Sequence, residues 1–150
     1  MSNSSPKPER YKLKVTVYLV LQKEGKVLLS RRYNTGWGDG KYGLPSGHLE
    51  VNETIVEAMI RESSEEIGII VAKENLHFTL TMHRPLVSYM DLFFTCKTWD
   101  GKISNKEPNK CDDLQWFDLN NPPENMVLSV KSALSGIQNG NNFIEFTTEE

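Results

Sequence analysis

Apolar residues recur at every second position early in the chain, at Val15, Val17, Leu19 and Leu21. That alternation predicts a strand over residues 13–22. Lys23-Glu24-Gly25 reads as a turn, and residues 26–32, with Val27, Leu28 and Leu29, as the hairpin partner. Residues 33–47 then carry Gly36, Gly38, Gly40, Gly43, Pro45 and Gly47. They predict a loop of a length that compact domains keep mostly for function. Further short strands are expected over 69–72, 77–83, 88–97 and 114–119. Arg84-Pro85-Leu86-Val87 and Asp100-Gly101 read as turns, and 105–113 as a polar loop. A Pro-rich connection over 120–124 leads to a helix over 126–137, with Val127, Val130, Ala133, Leu134 and Ile137 on one face. Residues 1–10 read as a flexible tail and 139–150 as a polar acidic tail, leaving 11–138 as one folded domain.

Residues 54–67 form the best-defined helical pattern. Thr54 with Glu57 makes a capping box, and Gly68 stands where a glycine ends a helix. At about 100° per residue, Val56, Met59, Ile60 and Ile67 share an arc assigned to the core. Ser63 falls inside that arc, where its hydroxyl is expected to bond back to the carbonyl of Met59. Glu62, Glu65 and Glu66 form a second arc directly beside the apolar one, with Glu50 and Glu53 just ahead of the helix.

Such massing is unfavourable by itself. Glu62–Glu65 and Glu62–Glu66 are like-charge pairs at i,i+3 and i,i+4, each costing about 0.2–0.5 kcal/mol in an isolated helix. Arg61 is the one base in the segment. Carboxylates crowded at the edge of a buried face suit a hard divalent cation such as Mg2+, which takes oxygen ligands and substrate phosphates. The competing reading is a merely solvated acidic face.

Composition narrows the classes. The chain has 150 residues, with 17 basic and 20 acidic side chains and a net charge of −3. A nucleic-acid backbone or an anionic membrane is therefore not the expected partner. No apolar run approaches a transmembrane length. Cys96 and Cys111 form no disulfide or zinc pattern and read as reduced thiols of a cytoplasmic protein. His48, His77 and His83 show no metal-ligand spacing.

The spacing Gly47, five residues, Glu53, seven residues, Arg61-Glu62, two residues, Glu65-Glu66, one residue, Gly68-Ile69 resembles the Nudix box. The flanking order of hairpin, Gly-rich loop, box, strands and final helix is also similar to that family, and MutT-type enzymes in particular. Two positions depart from the pattern: Ser63 stands where the box is apolar, and Ser46 replaces the first of a Gly pair.

The resemblance implies an α/β fold, an α/β/α sandwich around a mixed sheet. It implies Mg2+-dependent hydrolysis, with Mn2+ as an alternative ion, of a nucleoside diphosphate linked to another group. A nucleoside triphosphate giving a nucleoside monophosphate and pyrophosphate is the leading substrate class. ADP-ribose or another nucleoside-diphosphate derivative is the alternative, and a non-catalytic nucleotide-binding module the alternative of another class. A monomer or homodimer is expected, with no stable nucleic-acid binding.

Carried over residue by residue, Glu62, Glu65, Glu66 and the backbone carbonyl of Ser46 hold the metal. Arg61 orients the carboxylates. Glu53 holds a metal-bound water or, alternatively, only satisfies the helix dipole. Glu107 is a ligand or base, or an ordinary loop acid. Arg32 binds phosphate or makes a surface salt bridge. Asn125 reads a base edge or caps the last helix. Tyr42, like Trp37 and Tyr33, stacks a base or plugs the Gly-rich loop.

Overall fold

A computed structural model describes residues 4–150. The strands are β1 (Lys14–Lys23), β2 (Lys26–Arg32), β3 (Tyr42–Gly43), β4 (Ser46–His48), β5 (His77–Arg84), β6 (Tyr89–Cys96), β7 (Cys111–Asp118) and β8 (Phe143–Glu145). The helices are α1 (Ile55–Ile67) and α2 (Leu128–Gln138), and a single 3-10 turn covers Lys73–Asn75. The strands form one mixed sheet in the order β3-β2-β1-β6-β5-β8, with β4 also on β1 and β7 also on β2. β1 runs parallel to β6 over its length, and every hairpin pairing is antiparallel.

β1 is the spine. Val17, Leu19 and Leu21 face α1 and pack with Ala58, Met59 and Ile67. Val20, on the opposite face, packs with Val130, Ala133 and Leu134 of α2. The strand is therefore buried on both sides, although its alternation reads like a strand with one wet face. Two helices on opposite faces of a mixed sheet make the expected α/β/α sandwich.

The hairpin turn has Glu24 at φ 53° and Gly25 at φ 75°. Positive φ at both central residues gives the tight turn whose twist matches the flanking strands. α1 is bounded as its sequence requires: Thr54 accepts from the Glu57 amide and Glu57 returns the bond to the Thr54 amide, while Gly68 adopts φ 71°. Ser63 is fully buried and its Oγ donates to the Met59 carbonyl at 2.7 Å.

Several expectations change. Residues 33–47 are not one open loop: β3 and the first two residues of β4 lie within them, because the backbone there pairs with β2 and β1. Residues 69–72 make only a single bridge, Ile70 to Asp100, and no strand. β7 begins at Cys111, three residues before the apolar run, where the Arg32–Cys111 pairing passes a bulge. In α1, Val56 and Ile60 are only half-buried, whereas Ala58, on the carboxylate side where β4 lies close, is fully buried. The segment 139–150, expected as a polar tail, adds β8 in parallel to β5. The expected 1–10 tail falls partly outside the described residues.

Thr54→Ala removes one half of the capping box in an exposed turn. It should cost about 1 kcal/mol of unfolding free energy, read from denaturant midpoints at unchanged slope.

Candidate active site

The geometry starts from Arg61, nearly two turns into α1. Its Nε and Nη2 donate to the two oxygens of Glu53 at 2.6 and 3.1 Å. Nη1 donates to Glu62 Oε1 at 2.7 Å and Glu65 Oε2 at 3.2 Å, and Nη2 reaches the His48 carbonyl at 3.1 Å. Glu50 stands 3.8 Å away. Hydrogen bonds from this guanidinium, then the Glu50 amide, hold Glu53 below the usual carboxylate range. The same carboxylates, Glu53 first, raise Arg61 far above its ordinary value, so it stays charged.

Glu66 has no such cation in contact. Its Oε2 accepts from the Ser46 amide at 3.0 Å. Burial pushes its carboxyl up to about 8, with the charge of Glu62 adding to the rise. Burial also raises Glu62, against the pull of Arg61. The charge of Glu107 raises both, so these three carboxylates share one field.

β4 supplies the facing wall. The Leu19 amide bonds the Pro45 carbonyl, and Tyr18 pairs with Ser46. In an antiparallel ladder the intervening pair is the non-bonded type. Ser46 therefore turns both amide and carbonyl away from β1, on the edge where Glu66 lies. A Cβ on Gly47 would stand 1.9 Å from the Glu62 carboxyl, which explains the glycine. The loop carrying Glu107 is tied to the end of α1: the amides of Ser104 and Lys106 bond the carbonyls of Ile67 and Glu66, each at 3.0 Å. Asn105 braces the same loop through the Glu107 amide and the Cys111 carbonyl.

Ser46, Arg61, Glu62, Glu65, Glu66, Glu107 and Arg32 thus line one cavity of about 1260 Å³. Arg32 is anchored to the Gly-rich loop by Trp37 O at 2.7 Å and Thr35 Oγ1 at 3.1 Å, and lies against the Trp37 ring. It is Arg31 that makes the surface salt bridge, with Asp112. Glu53 sits behind Arg61 and does not line the cavity.

Two expected site residues lie elsewhere. Tyr42 is 6% exposed, packs edge-on to Phe117 in the α2-side core and bonds Asp113 through its hydroxyl, so no ring face is open to a base. Asn125 does not cap α2, whose N-cap is Val127 without a side-chain bond. Its amide instead donates to the Gly40 carbonyl at 2.9 Å, clasping the Gly-rich loop. Sequence reasoning passed over Lys14, Thr16, Tyr18, Arg84 and Glu150, which line the far end of the cavity. Charged residues at the inner ends of the β5 and β6 patterns, Arg84 and Asp91, were the available signal.

The donor set is all oxygen and carries surplus negative charge, which fits a hard divalent cation. Among the described residues no three such side chains already converge as a cage. Glu62 and Glu65 each turn one oxygen toward Arg61, which leaves the other oxygen of each outside that network. No helix among the described residues is long and apolar enough to cross a membrane.

A mixed-sheet sandwich whose helix presents glutamates to a cleft beside a Gly-rich loop is the architecture of a Nudix hydrolase. The chain belongs to that family: the NUDIX domain model matches residues 10–134. It is 30% identical over 112 residues to the ADP-ribose pyrophosphatase of Methanocaldococcus jannaschii, covering 73% of this chain and 64% of that protein. It is 26% identical over 123 residues to the 8-oxo-dGTP diphosphatase of Escherichia coli, covering 80% and 95%. The chain thus spans under two thirds of the first relative and nearly all of the second. Among solved structures, a MutT Nudix hydrolase from Burkholderia pseudomallei superposes with a TM-score of 0.76 at 22% identity, covering 83% of this chain and 98% of that one. Family members are generally dependent on divalent metal.

Gly47→Ala should displace Glu62 and lower kcat by about a hundredfold or more while the protein still folds, checked by activity alongside circular dichroism. The raised Glu66 carboxyl also has a sign. Its folded value, about 8, exceeds the ordinary 4.5, so the folded state holds the proton more tightly. The resulting stability is fully present below 4.5 and is lost as pH rises through about 8. Metal-free protein should lose more melting temperature than Glu66→Gln across that window, measured by calorimetry.

Proposed function

We propose that the protein is a metal-dependent pyrophosphohydrolase cleaving the diphosphate linkage of a nucleoside diphosphate derivative. A nucleoside triphosphate, giving a nucleoside monophosphate and pyrophosphate, is the leading substrate. One observation carries this reading: Glu62, Glu66 and Glu107 line one cleft, where burial first and neighbouring carboxylate charge second raise Glu62 and Glu66, and Arg32 offsets part of the rise at Glu66.

Glu62, Glu65, Glu66 and the Ser46 carbonyl would hold the cation, Mg2+ or Mn2+. When bound, the ion neutralises the pyrophosphate and lowers the pKa of a coordinated water. Arg61 positions the glutamates and, with its donors committed, does not reach substrate. Glu53 acts through Arg61 by fixing the plane of its guanidinium. Glu107, on a braced loop facing the carboxylates, takes the proton of the attacking water. Arg32 draws a phosphate oxygen toward the Gly-rich loop. The named activity of the M. jannaschii relative supports ADP-ribose as the second substrate reading. A non-catalytic binding module has no use for the full set Glu53, Glu62, Glu65 and Glu66, all present here.

The test is a panel of nucleoside triphosphates and ADP-ribose with Mg2+ or Mn2+, read as nucleotide products. At least one compound should be hydrolysed, and chelator should abolish the reaction. Glu65→Gln should cut kcat by about a hundredfold or more at unchanged melting temperature, since it also relieves a like-charge pair. Full turnover in chelator would overturn the mechanism. Equal nucleotide affinity with and without metal would favour the binding-module reading.

A further inference from the structure

The cavity does not end at the carboxylates. Beyond Ser46 and His48 it continues over the face of β1 that carries Lys14, Thr16 and Tyr18, as far as Arg84. The chain after β8 closes this second lobe. The Phe146 amide bonds the His83 carbonyl at 2.8 Å, and Phe146, Thr148, Glu149 and Glu150 then line the cavity.

The Glu150 side chain is turned inward although the residue itself lies at the surface. Its side chain is only 11% exposed. Oε1 accepts from the Ser129 amide at 2.5 Å, in the first turn of an α2 that has no side-chain cap. Oε2 lies 3.6 Å from Arg84 Nη1. Yet Arg84 is already matched: Asp91 accepts from Nε at 2.5 Å and from Nη2 at 3.3 Å, both residues being buried. Glu150 therefore brings one surplus negative charge into a neutral pair. Its field adds to the burial that raises both Asp91 and Tyr18.

A separate observation points to a ligand in the same lobe. Thr16 is 5% exposed and sits in register with Asp91. Its Oγ1 is the one buried side-chain polar atom among the described residues without a hydrogen-bond partner. Buried hydroxyls are almost always bonded, so an unmet one on a cavity floor marks a missing acceptor or donor.

We propose that residues 146–150 form a displaceable strap over the lobe that receives the non-phosphate part of the substrate. Glu150 holds, against Arg84 and the Ser129 amide, the place of a hydrogen-bond acceptor on the ligand, and the Thr16 hydroxyl supplies a further contact once the strap leaves. Two converging N–H donors select an acceptor edge, such as the keto oxygen of a nucleobase. The identity of that ligand rests on the hydrolase reading; the strap itself does not.

The experiment measures GMP and UMP binding by calorimetry to wild type, Glu150→Ala, and Glu150→Ala combined with Thr16→Val. Removing the stand-in should tighten at least one of the two by about tenfold, as when a state nine-tenths closed is opened. Thr16→Val should then weaken it again by a similar factor. Thr16→Val alone should leave the melting temperature unchanged or raise it, because no bond is lost. Hydrogen exchange of the amides over 143–150 and Ser129 in wild type should speed up on saturation with the tighter nucleotide.

Equal or weaker affinity in Glu150→Ala, including no binding of either nucleotide to any form, would overturn the proposal. So would a Thr16→Val loss of melting temperature with no change in affinity. Hydrolysis across the nucleotide panel without the affinity shift would remove the strap alone. The shift without hydrolysis would remove the enzymatic reading and leave the strap.

Discussion

One guanidinium holds the site together. Four carboxylates, Glu50, Glu53, Glu62 and Glu65, crowd Arg61, and three of them accept its hydrogen bonds directly. Without it, Glu53 and Glu62, the two of these that are largely buried, would repel where little water intervenes. Its position follows from the helix ends. The capping box fixes where α1 begins, hence which side chains fall beside β4 and which face the cleft. A lysine could carry the charge but could not meet Glu53 through two parallel bonds while serving Glu62 and a carbonyl. Glu66 lies outside this compensation, and that asymmetry makes it the carboxylate with the strongest demand for an external cation.

The fold was readable wherever one local rule governed a segment. The α1 caps, the Glu24-Gly25 turn, the hairpins and the α2 stripe all follow from residue type and spacing, and Ser63 closes on Met59 as its place in the buried arc requires. Legibility failed where tertiary pairing chose the outcome. β3 and β4 are short segments that exist only because β2 and β1 offer free edges, and no periodicity can reveal two or three residues. β8 is similar: an apparently polar end becomes a strand because β5 has an open side.

The site divides the same way. The carboxylates and Arg61 share one helix, so spacing places them together. Arg32 ends β2 and Glu107 sits on a distant loop, and both meet them only through the tertiary fold. Tyr42 and Asn125 show the converse. Their residue types suit a nucleotide, but Tyr42 is drawn into the core by its neighbours on β2 and α2, and Asn125 is occupied by the backbone of Gly40. The far lobe was harder to read because Thr16, Arg84 and Glu150 are far apart along the chain, and only the charges of Arg84 and Asp91 within strand patterns pointed to it.

The bonds from Ser104 and Lys106 to the last carbonyls of α1 weld the Glu107 loop to the helix that carries the other glutamates. That side of the cleft is therefore a single jaw, in which the backbones that carry Glu107 and the α1 glutamates are joined. The opposite side is the loop after β2, where Asn34, Gly36, Gly38 and Gly40 take left-handed φ and Arg32 and Asn125 bond its carbonyls. One wall of the cleft is thus fixed through the end of α1, and the other through side chains that clasp the loop's own backbone.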